Sequence, residues 1–144
     1  MRLHLGVIDV PYKNGSNSDP KTTGDVATIL EAKYHVMEHF WEAKKPEIAA
    51  SLEQSMGDAI EALMMGATAA ADPFTAAASD IEAKFKHFLS QRELDSLGYP
   101  GIPTKAAQNG VSHRFKHPYA KRAPRPSFID TGTYEASFKV WVER

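Results

Sequence analysis

Three places in the chain bring together side chains able to do chemistry. Asp130-Thr131-Gly132, preceded by Phe128-Ile129, has the form of an aspartic-protease active-site loop. That chemistry needs two carboxylates sharing a proton, so one copy of the tripeptide would require a dimer. It also needs a flap and further strands, and only 12 residues follow Gly132. The reading adopted is a turn, with Asp130 bonding backbone amides and Gly132 supplying a positive φ before a last strand. His35 and His39 stand four apart, the spacing of a metal pair on a helix, with Glu31, Glu38 and Glu42 nearby. The residue after His35 is Val36, so the pair is not part of an HExxH motif, and it falls opposite the apolar stripe. A solvated or intersubunit face accounts for it, and no metal is assigned. The third place is His113-Arg114-Phe115-Lys116-His117-Pro118-Tyr119-Ala120-Lys121-Arg122-Ala123-Pro124-Arg125, five cations interleaved with two aromatics and two histidines. No acid occurs between Gly110 and Ile129. Such a stretch suits phosphate contact with base stacking, or an acidic groove on a protein partner, where its prolines lower the entropy of ordering.

The elements that must position these residues follow from periodicity. Leu3, Leu5 and Val7 alternate with His4 and Gly6 in a first strand over 2–9. A polar loop over 11–20 leads to a helix predicted over 25–44, with Thr22 or Thr23 as its cap and Asp25 at its positive end. Pro46 predicts a break and a second helix over 46–65. Asp72-Pro73 predicts a third, running to Leu89. Val26, Leu30, Met37, Phe40, Leu52, Ile60, Phe74, Ile81, Phe85 and Phe88 form the expected core stripes. Ser90-Gln91-Arg92-Glu93 matches a capping box for a short helix over 91–97. Prolines at 100, 103, 118, 124 and 126 make 99–127 an irregular arm, with one helical turn around Lys105 to Gln108. A last strand over 133–142 sets Tyr134, Phe138, Val140 and Val142 on one face and Trp141 on the other. The sum is one mixed α/β (α+β) domain over 1–144. It has a helical scaffold over 22–97, a small sheet of terminal strands and a long irregular basic arm.

The chain has 144 residues and a net charge of −1 that hides an asymmetry. Residues 1–100 carry 9 Lys/Arg against 15 Asp/Glu, and residues 101–144 carry 8 against 3. This polarity points to a charged face meeting a partner. There is no cysteine, which removes disulfides, thiolate metal sites and Cys nucleophiles together. No apolar run approaches the roughly 18 residues of a membrane span. No nucleophile–base pair, phosphate-binding glycine loop or carboxylate dyad is visible, so neither an enzyme nor a cofactor is expected.

The stretch from Arg125 to Phe138 resembles a pattern of tailed-bacteriophage neck proteins, the head–tail joining and tail-completion type. In these proteins a basic, proline-bearing segment precedes Asp or Arg, then Thr-Gly, a spacer, an apolar residue, two more residues, Ser and an apolar residue. Asp130, Thr131, Gly132, Thr133, Tyr134, Glu135, Ala136, Ser137 and Phe138 occupy those positions. The match covers about the last 30 residues, whereas the N-terminal strand and long helical region depart from typical members. The resemblance implies a structural virion protein assembled in the host cytoplasm. It would form a homo-oligomeric ring that joins portal or connector to tail. Interface candidates are Arg114, Lys116, Lys121, Arg122, Arg125, Asp130, Gly132, Tyr134, Phe138 and Trp141. The position in the neck (joining protein, tail terminator, collar or minor component) stays open. The alternative is a small nucleic-acid-binding protein using 113–125, and non-specific DNA contact is compatible with either.

Overall fold

The computed structural model describes residues 2–12, 21–68, 72–111, 123–129 and 131–143. Strands β1 (Arg2–Val7) and β2 (Phe138–Glu143) pair antiparallel, with Leu3 opposite Val142, Leu5 opposite Val140 and Val7 opposite Phe138. Alternation places these six apolar side chains on one face, toward the helices. His4, Gly6, Lys139, Trp141 and Glu143 take the other. Among the described residues six helices lie between the strands or abut them: α1 (Thr23–Tyr34), α2 (Val36–Met64), α3 (Thr75–Ser90), α4 (Glu93–Ser96), α5 (Lys105–Gln108) and α6 (Thr133–Ser137). The chain is therefore α+β, a helical body closed by a two-stranded sheet.

The core is aromatic. Phe85 stacks on Phe138 with ring centroids 3.8 Å apart, and Phe40 meets Phe85, Phe88 and Phe138 edge-on at 5.1, 5.5 and 6.1 Å. Ile48, Ile81, Leu89, Leu94 and Val36 complete it, fully buried. Of the expected core, Phe40, Phe74, Ile81, Phe85 and Phe88 are buried, and Val26, Leu30, Met37 and Leu52 pack partly buried against them. Ile60 is half-exposed, because α2 has no buried residue beyond Ser55.

The helix break falls at His35 and not at Pro46. His35 adopts left-handed backbone (φ 49°), and its amide donates to the Glu31 carbonyl, ending α1. The Glu31 carboxylate then accepts the Met37 and Glu38 amides at 2.8 and 3.1 Å, satisfying the opening donors of α2. Pro46 costs α2 one internal hydrogen bond. Burial of Phe40 before it and Ile48 after it holds the helix continuous.

At the start of α1, Thr22 is the cap, and Asp25, expected only to complement the helix dipole, closes a capping box with it. Thr23 is fully buried and ties the helix to the sheet: its hydroxyl donates to the Ile8 carbonyl and accepts the Val10 amide. Asp9 receives the Gly24 amide at 3.0 Å, and the bonds from Thr22 and Gly24 hold its carboxyl below the usual range.

Two further expectations are corrected. Ser90 is the last residue of α3 and caps nothing ahead of it; its hydroxyl donates back to the His87 carbonyl, and α4 starts only after Arg92 turns left-handed. The last strand begins at Phe138 and not at Thr133. Gly132 (φ 76°) opens the single turn α6, which buries Tyr134 and Ser137 before the chain extends.

Candidate functional site

Of the expected interface residues, Arg114, Lys116, Lys121, Arg122 and Asp130 lie outside the described residues. The flanks of the expected arm do not stand free of the body. Ile102, Ala107 and Ser127 are buried, Tyr99 stacks on His39 at 3.4 Å, and Phe128 packs on Tyr34. Arg125 works within the chain. Its amide donates to the Ala107 carbonyl at 3.0 Å, and its guanidinium binds the carbonyls of Ile129 and Val111. Tyr134 and Phe138 belong to the core, which removes both from the surface a second molecule could touch. Among the described residues the Tyr134 hydroxyl has no hydrogen-bond partner, and burial pushes its pKa far up. Trp141 is half-exposed on the outer face of the sheet. It stacks on His4 at 5.3 Å and fills the space left by Gly6, where an added Cβ would meet its ring at 2.9 Å.

The two sheet edges differ. On β2 the Val140 amide points away from β1 and donates to Glu82 Oε1 at 3.2 Å, while Glu82 Oε2 pairs with Lys139 at 2.8 Å. A side chain of α3 thus occupies the place of a third strand. Among the described residues no strand pairs with the outer edge of β1.

Glu31, His35 and Glu38 offer donor atoms within 4.8 Å of one another, the spacing a small cation needs. Each already has a partner: both Glu31 oxygens accept backbone amides, and His35 Nδ1 meets Glu38 at 2.8 Å. The arrangement is accounted for as a helix cap. His39 stacks on Tyr99 and meets the His35 ring edge-on at 6.2 Å.

A groove of about 580 Å³ runs between α2 and α3, floored by Ala50, Ala76 and Ala77. Glu47, Asp58 and Asp80 line its walls, and Lys84 is the cation among its lining residues. Lys84 pairs with Asp80, whose carboxyl is held below its usual range first by Lys84 and then by the Ser51 hydroxyl. Ser51 also lies 2.9 Å from the Glu47 carbonyl, and Lys84 Nζ is 3.5 Å away. Ser51, Gln54, Ser55 and Asp58 follow helical spacing, which carries the same stripe on to Ala62 and Met65. Sequence reading missed this groove, although one signal was available: between Pro46 and Ala83 stand seven Asp/Glu and no Lys or Arg.

Comparison of the chain with protein-family models, with curated proteins and with solved structures returns no match.

Proposed function

We propose that the chain is a non-enzymatic structural subunit of a tailed-phage neck, self-associating into a ring between portal or connector and tail. The observation that carries the assembly reading is the asymmetric sheet: β2 has its edge occupied by Glu82, whereas β1 keeps a six-residue edge with no described partner. A paired β1 edge in a second copy satisfies backbone groups that water must otherwise serve. Large apolar side chains at the surface, Trp141 beside the sheet and Met64 and Met65 at the end of α2, add area suited to burial between subunits. The phage setting rests on the resemblance of residues 125–138.

The test is mass by light scattering or native mass spectrometry, with the chain alone and then with portal, connector or tail-tube proteins. A closed oligomer in either setting is expected. A monomer in both settings overturns the reading. Tight duplex-DNA binding by that monomer, falling steeply with salt, would establish the nucleic-acid alternative in its place.

A further inference from the structure

We infer that the projecting end of α2, with the adjoining end of the groove between α2 and α3, seats the basic stretch His113–Arg122 of a second copy of this chain. The inference rests on the assembly reading for its setting and adds a second, head-to-tail contact to the pairing of β1 edges.

The surface has both apolar and electrostatic character. From Glu61 on every residue of α2 is exposed, with Leu63 at 49 %, Met64 at 83 % and the following Met65 at 82 %. Asp58 and Glu61 flank these side chains, and no Lys or Arg occurs from Pro46 to Ala83. Lys84 is already neutralised by Asp80. Two copies pairing through this same surface would bring like charges together in a partly dry contact, which is unfavourable. The occupant must be cationic and must carry apolar anchors. Residues 113–122 supply four Lys/Arg with Phe115 and Tyr119 among them, and no acid.

Reach decides between the chain's own stretch and a neighbour's. Val111 and Arg125, described residues on either side of that stretch, are held together, the Arg125 guanidinium binding the Val111 carbonyl. Pro124 is held by Arg92, next to Glu93, and Glu93 pairs with Lys44 of α2 at 2.9 Å. Going out and back, a loop of that length extends at most roughly 20 Å. At 1.5 Å per residue, Glu61 and Met65 lie about 25–30 Å along α2 from Lys44. The projecting end is therefore served by a second copy. Because the two surfaces differ, the contact is head-to-tail, the kind that closes into a ring when the rotation between subunits permits.

A fluorescein-labelled peptide of residues 113–122, titrated against the full-length chain and read by anisotropy, tests this directly. Saturable binding is expected, weakened on the order of tenfold by raising salt from 50 to 500 mM. A similar loss is expected from Asp58→Lys with Glu61→Lys, and from Leu63→Ser with Met64→Ser; circular dichroism checks that these exposed substitutions leave the helices intact. A Lys121→Glu, Arg122→Glu peptide should prefer the Asp58→Lys, Glu61→Lys protein over wild type. No binding, or binding indifferent to all these changes, overturns the inference. If the chain forms rings while the peptide fails to bind, the inference falls and the assembly reading stands. If the peptide binds as expected but the chain never assembles, the seat stands and the assembly reading falls.

Discussion

Glu82 and Val140 are joined across the boundary between helix and sheet: the carboxylate of one accepts the outward amide proton of the other at 3.2 Å. Glu82 is mostly buried, at 15 % exposure, so this bond is sheltered from water. Glu82→Ala would leave the amide without an acceptor and Lys139 without its pair, at an expected loss of about 1–3 kcal/mol. The same change opens the β2 edge. Denaturant titration should show the destabilisation, and light scattering should show new aggregation, since an opened edge lacks specificity.

Phe138 and Trp141 are three residues apart on β2 and should respond oppositely to the same substitution. Phe138→Asp places a carboxylate against Phe85 and Phe40 in the core, and the lost packing alone is worth roughly 3–5 kcal/mol. With total stabilities of about 5–15 kcal/mol, that variant should unfold or nearly so. Because the ring is fully buried, Phe138→Asp reports on folding and not on an interface. Trp141→Asp should keep the far-ultraviolet circular dichroism of wild type and reduce self-association.

Tyr134→Phe removes a buried hydroxyl that has no partner among the described residues. Deleting an unsatisfied polar group while keeping the ring is expected to be neutral or to stabilise by up to about 1–2 kcal/mol. Thermal unfolding of the pair of proteins decides it. A clear loss of stability would mean that the hydroxyl has a partner in solution.

Glu31→Ala uncovers the first amides of α2 at Met37 and Glu38. Loss of a capping acceptor is expected to cost about 1–2 kcal/mol. Hydrogen exchange should quicken first at those two amides. Equal exchange rates in wild type and variant would refute the capping role.

The pH dependence should be asymmetric. Glu93 is held below its ordinary value near 4.5, chiefly by the hydrogen bond to Lys44 and then by His87. Its contribution is thus complete above the unfolded pKa and lost as pH falls through the lower folded one. Lys44 is held above 10.5, chiefly by Glu93, so its contribution is complete below that value and fades as pH rises through the folded pKa. Asp9 and Asp80 are also depressed and act on the acid side with Glu93. Unfolding midpoints should fall below about pH 4.5, and Glu93→Gln should flatten part of that decline. An unchanged acid limb in Glu93→Gln would exclude the pair as its source.

Local chemistry made some of this architecture readable from residue order. Thr22 with Asp25 three residues on, the helical spacing from Phe74 to Phe88, and the alternation of Leu3, Leu5 and Val7 each specify their element without distant help. The break at His35 was hidden, because its cause is a side chain folding back from Glu31 on the preceding helix, and Pro46 offered a stronger but misleading local signal. Tyr134 fits a strand by alternation; burial of its ring against Phe85, at 6.2 Å, favours a helical turn instead. Glu82 on α3 looks like half of a surface ion pair with Lys86, and only the fold reveals that it faces Lys139 and Val140. The acidic groove needs two helices side by side, a relationship no linear pattern encodes.

The pairing of β1 with β2 also sets an order of events. His4 and Glu143, bonded at 2.9 Å, stand 139 residues apart in the chain, so the sheet closes the longest loop in the molecule. Loop closure of that length is entropically costly and brings reward only when the intervening helices have already shortened the gap. Folding should therefore run from α2 and α3 outward, with the sheet zipping last. During synthesis β1 emerges first and waits, both edges unsatisfied, until β2 is made. Any chaperone dependence of this protein should centre on that interval, and a nascent chain stalled before Phe138 should be the species that binds a chaperone most strongly.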